Sequence, residues 1–88
     1  MKLTLTAPIT AHGEEIKEIE MRDPTGKDVR EIGYPYQLNP DESVKLLSAA
    51  VCKYITRLGN IPPSAVDSMS PADLNLAGWA VARFFLGS

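Results

Sequence analysis

Four groups of residues in this chain carry side chains able to do chemistry. His12 stands beside Gly13, Glu14 and Glu15. An imidazole next to a carboxylate is the beginning of a general base, but the task also needs a nucleophile within hydrogen-bond reach. Only the carboxylate is in evidence, and a Gly-containing turn rarely forms a pocket, so His12 reads as a solvated turn residue. Pro24-Thr25-Gly26-Lys27 looks like a fragment of a phosphate loop. A complete loop has an earlier glycine and a Ser or Thr directly after the lysine. Here Met21 holds the first position and Asp28 follows the lysine, so a helix cap explains the tract better. Cys52 lies on the flank of a helix near Ser48 and Lys45; a small semi-buried filler is the simpler reading of it than a reactive thiol. Glu14, Glu15, Glu18 and Glu20 lack the ordered oxygen pattern of a calcium loop, and charged side chains on a hairpin also guard an edge strand.

The counts close off further classes. One Cys and one His make neither an internal disulfide nor a zinc site. No set of nucleophile, base and oxyanion donors can be assembled. We therefore expect no catalytic residue, no metal and no cofactor. Nine Lys and Arg against eleven Asp and Glu give a net charge of −2, which argues against a phosphate-backbone partner and so against nucleic acid. No run approaches the ~18 apolar residues of a membrane span, and Leu3-Thr4-Leu5-Thr6-Ala7-Pro8 is no signal core. The expectation is a soluble cytoplasmic protein that binds no membrane.

The elements that would position these groups are few, because 88 residues hold a single domain with a thin core. Lys2 to Thr6 alternates as a strand, Gly13 supplies a turn, and Ile19 and Met21 mark one face of a returning strand. Ile16 falls off that alternation, which predicts a bulge near Lys17 and Glu18 or a strand start after them; a helix is the rival reading, because 16 and 19 also suit a 3.6 period. The result is a β-hairpin over residues 1–22, stopped by Asp23-Pro24. Thr25 with Asp28 three residues on predicts a short helix over 25–32. Asn39-Pro40-Asp41-Glu42 has cap, proline and acids in the order that opens a helix, which predicts a long helix over 40–58 with Val44, Leu47, Val51, Ile55 and Leu58 in its apolar stripe. Ile61 to Ser68 holds a turn of helix at most. Ser70-Pro71-Ala72-Asp73 opens a C-terminal helix over 71–86. The fold class is α+β: a hairpin packed on three helices.

The last helix differs from an ordinary surface helix. Leu74, Ala77, Val81, Phe84 and Phe85 form a core stripe, but Leu76, Trp79 and Leu86 lie on the other side with only Arg83 and Asn75 as strong polar neighbours. A helix apolar nearly all round has to be covered nearly all round. Two readings follow. Leu76, Trp79, Ala80 and Leu86 meet a partner, helped by small residues that allow close approach, or the hairpin of the same chain covers them. Tyr34 and Tyr36, flanking Pro35, either anchor a partner or pin their loop to the core.

Taken together the chain resembles the tail assembly chaperones of contractile-tailed phages and prophages, of the Mu-like type. The resemblance is carried by Leu3-Thr4-Leu5 through Gly13 with Ile19-Glu20-Met21-Arg22-Asp23-Pro24-Thr25-Gly26-Lys27-Asp28, by the mid-chain helix ending in Leu58-Gly59, and by Ile61 through Leu74 with the closing Phe84-Phe85-Leu86. It implies a non-enzymatic protein that holds the tape-measure protein soluble until tube subunits polymerise around it, with the tail tube protein as a further possible partner. It also implies absence from the finished virion and, for many members, a longer form made by ribosomal frameshifting. Since the family has no fixed binding motif, the contact residues come from the helix argument alone. The alternative is a small tail or connector component that forms homo-oligomers through the C-terminal helix; an adaptor or inhibitor of a host protein is a third reading.

Overall fold

β1 (Lys2–Ala11) and β2 (Glu14–Glu20) pair antiparallel, with Ala11 opposite Glu14 in a computed structural model that describes residues 1–86. The turn between them is His12-Gly13, with φ of 53° and 78°. Positive φ at both central residues matches the twist of the flanking strands; glycine adopts it freely and histidine more readily than most residues. The hairpin follows the expected outline, but its irregularity lies on the other strand. Thr4 faces Glu18 and Ile9 faces Ile16, so Leu5, Thr6, Ala7 and Pro8 stand opposite Lys17 alone. The extra length is in β1 because Pro8 has no N–H to give a ladder, and the N–H groups of Thr6 and Ala7 are taken by another partner.

β2 leads through Arg22, whose N–H donates to the Leu58 carbonyl at 3.1 Å, into α1 (Gly26–Ile32). Thr25 caps α1 as expected. The Asp28 carboxylate accepts the Thr25 N–H at 2.8 Å, the reciprocal half of a capping box. Gly33 ends the helix at φ 93°.

The long helix over 40–58 is corrected by the structure. β3 (Tyr36–Leu38) and β4 (Val44–Leu46) form a second hairpin in the register Tyr36 to Leu46, Gln37 to Lys45 and Leu38 to Val44. Asn39-Pro40-Asp41-Glu42 is its turn. The Asn39 N–H donates to the Ser43 carbonyl, the Ser43 N–H donates to the Asp41 carboxylate at 3.0 Å, and Glu42 takes φ 69°. Asn, Pro and Asp are turn formers for the same reasons that they open helices: fixed φ and short side chains that bond nearby backbone. The helix proper, α2 (Ser48–Gly59), begins eight residues later than expected, and Val44 belongs to a strand.

α2 ends where expected, with Asn60 in the left-handed conformation. Its last residue, Gly59, has no room for a side chain: a Cβ there would stand 2.7 Å from the Ile19 side chain. The chain continues through α3 (Pro63–Asp67) into α4 (Pro71–Leu86), whose bounds match those expected. The core joins Leu5, Ile9, Ile19 and Met21 of the hairpin to Val51, Tyr54, Ile55 and Leu58 of α2, Ala65 and Val66 of α3, and Ala77, Ala80 and Val81 of α4. The architecture is α+β, with α2 sandwiched by its neighbours. No helix among the described residues is long and apolar enough to cross a membrane.

Candidate functional site

Three anchors fix how α4 is presented. At its N-terminus Ser70 Oγ accepts the Asp73 N–H at 3.1 Å. The Asp73 carboxylate, 1% exposed, accepts the Thr6 N–H at 3.0 Å, the Thr6 hydroxyl at 2.9 Å and the Ala7 N–H at 3.3 Å. These donors hold the carboxyl below the usual carboxylate range, the Thr6 backbone N–H most of all. In mid-helix a Cβ on Gly78 would lie 2.9 Å from Leu46 Cδ1 and 3.5 Å from Val51 Cγ1, so α4 packs closely on β4 and α2. Near its C-terminus the Phe85 ring meets Tyr54, Tyr34 and Tyr36 edge-on, with centroids 5.5, 5.9 and 6.1 Å away.

With that side occupied, the opposite face of α4 points outward. Leu76 is 48% exposed, Trp79 38% and Leu86 44%; Ala72 and Arg83 are exposed with them. Of the two readings of this helix, burial under the hairpin is the one the structure discards. Ala80 is corrected: it is 2% exposed and belongs to the core. Gly78 and Ala82 are buried as well, so the small residues serve contact within the chain. Tyr36 is half-buried and Tyr34 is exposed, yet both rest on Phe85; they pin their loop to α4 and lie apart from the outward face in sequence. Thus Leu76, Trp79 and Leu86 share one surface, Tyr34 and Tyr36 form an aromatic cluster around Phe85, and Ala80 joins neither.

The remaining polar chemistry is engaged within the fold. Asp28, 2% exposed, accepts from both terminal nitrogens of Arg22 at 2.8 and 3.1 Å and from Arg57 at 3.3 Å; Arg57 also meets Glu31 at 2.6 Å. The Arg22 guanidinium does most to hold the Asp28 carboxyl well below its ordinary range, with Thr25 and Arg57 adding to it. The Tyr54 hydroxyl donates to the Gly33 carbonyl at 2.6 Å, and burial raises its pKa. His12 Nε2–H donates to the Asn60 carbonyl at 3.0 Å, so the turn histidine ties the hairpin tip to the end of α2. Cys52 is half-buried against the core. It lines an open groove of about 620 Å³ with Ile32, Thr56, Arg57 and Val66, a feature built from three helices that no single stretch of sequence announces. No cluster of three or more His, Cys, Asp or Glu suited to a metal occurs among the described residues.

The fold is α+β, its two buried carboxylates, Asp28 and Asp73, are bonded within the chain, and α4 turns an apolar face outward. The sequence profile of the family described as "Phage tail assembly chaperone proteins, E, or 41 or 14" matches residues 2–86, and the chain belongs to that family. Its role is in phage tail assembly. Among curated proteins and among solved structures nothing matches the chain.

Proposed function

We propose that this chaperone binds the phage tape-measure protein through the outward face of α4 and releases it as tube subunits polymerise. The observation that carries the proposal is the joint exposure of Leu76, Trp79 and Leu86 on one helix face, together with membership of the tail assembly chaperone family. Large apolar side chains left exposed together on one helix face favour a contact surface. Tape-measure proteins are long, and many small subunits along one long ligand gain from multivalency, so weak single contacts suffice and remain reversible. The protein acts in the bacterial host cell, needs no cofactor and is absent from the finished particle.

The test is co-expression with the tape-measure protein, followed by pull-down of wild type and Trp79→Ala. Retention by the wild type and loss in the variant, with an unchanged melting curve, is the expected result. Equal retention of both moves the contact away from α4. Presence of the chain at constant stoichiometry in purified particles would make it a structural component instead.

A further inference from the structure

We propose that the outward face of α4 is one side of a coiled-coil seam, and that its occupant is a helix of another protein bearing a carboxylate opposite Arg83. The inference deepens the proposed function and rests on its assignment of α4 as the binding face. Ala72, Leu76, Trp79, Arg83 and Leu86 are all exposed, and they follow one another at spacings of four, three, four and three. That alternation is the heptad spacing that keeps a seam facing a partner helix. With 3.6 residues per turn, all five project within an arc of about 80°. From residue 72 to residue 86 the seam runs about 21 Å at 1.5 Å per residue, which fits roughly four turns of a partner helix. A strand or an irregular loop does not repeat at this interval.

Arg83 decides which helix. It lies between Trp79 and Leu86 on the seam, and its guanidinium makes no hydrogen bond or ion pair among the described residues. A helix laid over the seam takes this cation partly out of water, and an unpaired cation resists that. A second copy of this chain pairing through the same α4 face brings no free carboxylate to the seam among the described residues. The acid of α4, Asp73, is 1% exposed and already bonded to Thr6 and Ala7. Pairing two copies in parallel sets Arg83 against Arg83, and pairing them antiparallel lays it against apolar side chains. A Glu or Asp in the partner's seam meets the planar guanidinium with two charge-assisted bonds, and apolar residues on either side cover Leu76, Trp79 and Leu86.

The chain has a single tryptophan, so Trp79 emission reports the seam. The probes are two crosslinked, monomeric, tryptophan-free helical peptides with the same leucine seam, one with glutamate and one with lysine at its central seam position. The glutamate peptide shifts Trp79 emission to the blue and binds at least about tenfold more tightly than its lysine twin, the factor that about 1.4 kcal/mol supplies. Arg83→Glu inverts that preference and leaves the melting curve in place. Equal affinities for the twins, an unaltered preference in the variant, binding of neither, or a wild-type dimer that buries Trp79 each overturns the proposal. Tape-measure retention that is equal in wild type and Arg83→Glu sinks this inference and leaves the proposed function standing. Selective binding of the glutamate peptide without tape-measure retention does the reverse.

Discussion

Asp73 opens the first turn of α4, and its carboxylate holds the N–H of Thr6, 67 positions away in the chain, at 3.0 Å. One buried side chain therefore determines both where β1 departs from its ladder and how α4 is set against the hairpin. The N-terminal strand and the helix with the outward face are locked together through it.

Asp73→Leu is expected to destabilise the fold more than Asp73→Asn, since the amide oxygen still accepts from Thr6 and the leucine leaves buried N–H groups without a partner. Thermal melts of the two variants check the order. Equal loss would mean that the bulge finds other acceptors, and an unaffected Asp73→Leu would remove the latch altogether.

Stability should fall in acid and be flat above it. Asp28 and Asp73 both have carboxyls held below their ordinary range in the folded state, so the unfolded chain binds more protons as pH falls through about 4. Their contribution is complete above that unfolded value and is lost as pH drops towards the folded ones. Denaturant titrations between neutral pH and pH about 3 test the sign. Asp28→Asn should flatten the acid limb, and an unchanged slope would exclude Asp28 from it.

Two helical glycines should respond differently to alanine. At Gly59 the new methyl meets Ile19 Cγ2 at 2.7 Å, a branched methyl held in the packed hairpin, and a cost of about 1–3 kcal/mol is expected. At Gly78 it meets the far end of Leu46 at 2.9 Å, which can turn aside, and the gain in helix propensity of about 1 kcal/mol offsets the adjustment. Urea titrations that rank the two the other way would show that α4 packs more rigidly on β4 than on that reasoning.

Core and outward positions should separate cleanly. Ile55 is 0% exposed, and Ile55→Ala should cost about 2–5 kcal/mol. Leu76 is 48% exposed, and Leu76→Gln should stay within about 0.5 kcal/mol while weakening capture of the tape-measure protein. A Leu76→Gln melt as damaged as that of Ile55→Ala would make the face of α4 structural.

What the sequence discloses divides along local and long-range lines. Ser70-Pro71-Ala72-Asp73 opens α4 and Thr25 with Asp28 opens α1, because a cap and an acid act within one turn of each other. Asn39-Pro40-Asp41 carries the same local chemistry and became a hairpin turn. The choice was made by Val44-Lys45-Leu46 pairing with Tyr36-Gln37-Leu38, a contact between segments. The register breaks at Lys17, where the alternation of β2 places it, but the extra residues are Leu5 to Pro8 of the facing strand, where the Asp73 carboxylate takes the N–H groups of Thr6 and Ala7. The periodicity of α4 placed Leu76, Trp79 and Leu86 together, and they are exposed together. It did not show that Ala80 faces inward, because alanine fits an interface and a tight core equally well.

The proposed contact puts Trp79 at the junction of the outward face of α4 with the tape-measure protein. With one tryptophan in the chain, fluorotryptophan labelling gives a single fluorine NMR signal from the middle of that face. Adding co-purified tape-measure protein should move or broaden the signal in proportion to complex formed, and Leu76→Gln should reduce the effect. A complex that forms while the signal stays at its free position would put the contact elsewhere on the molecule.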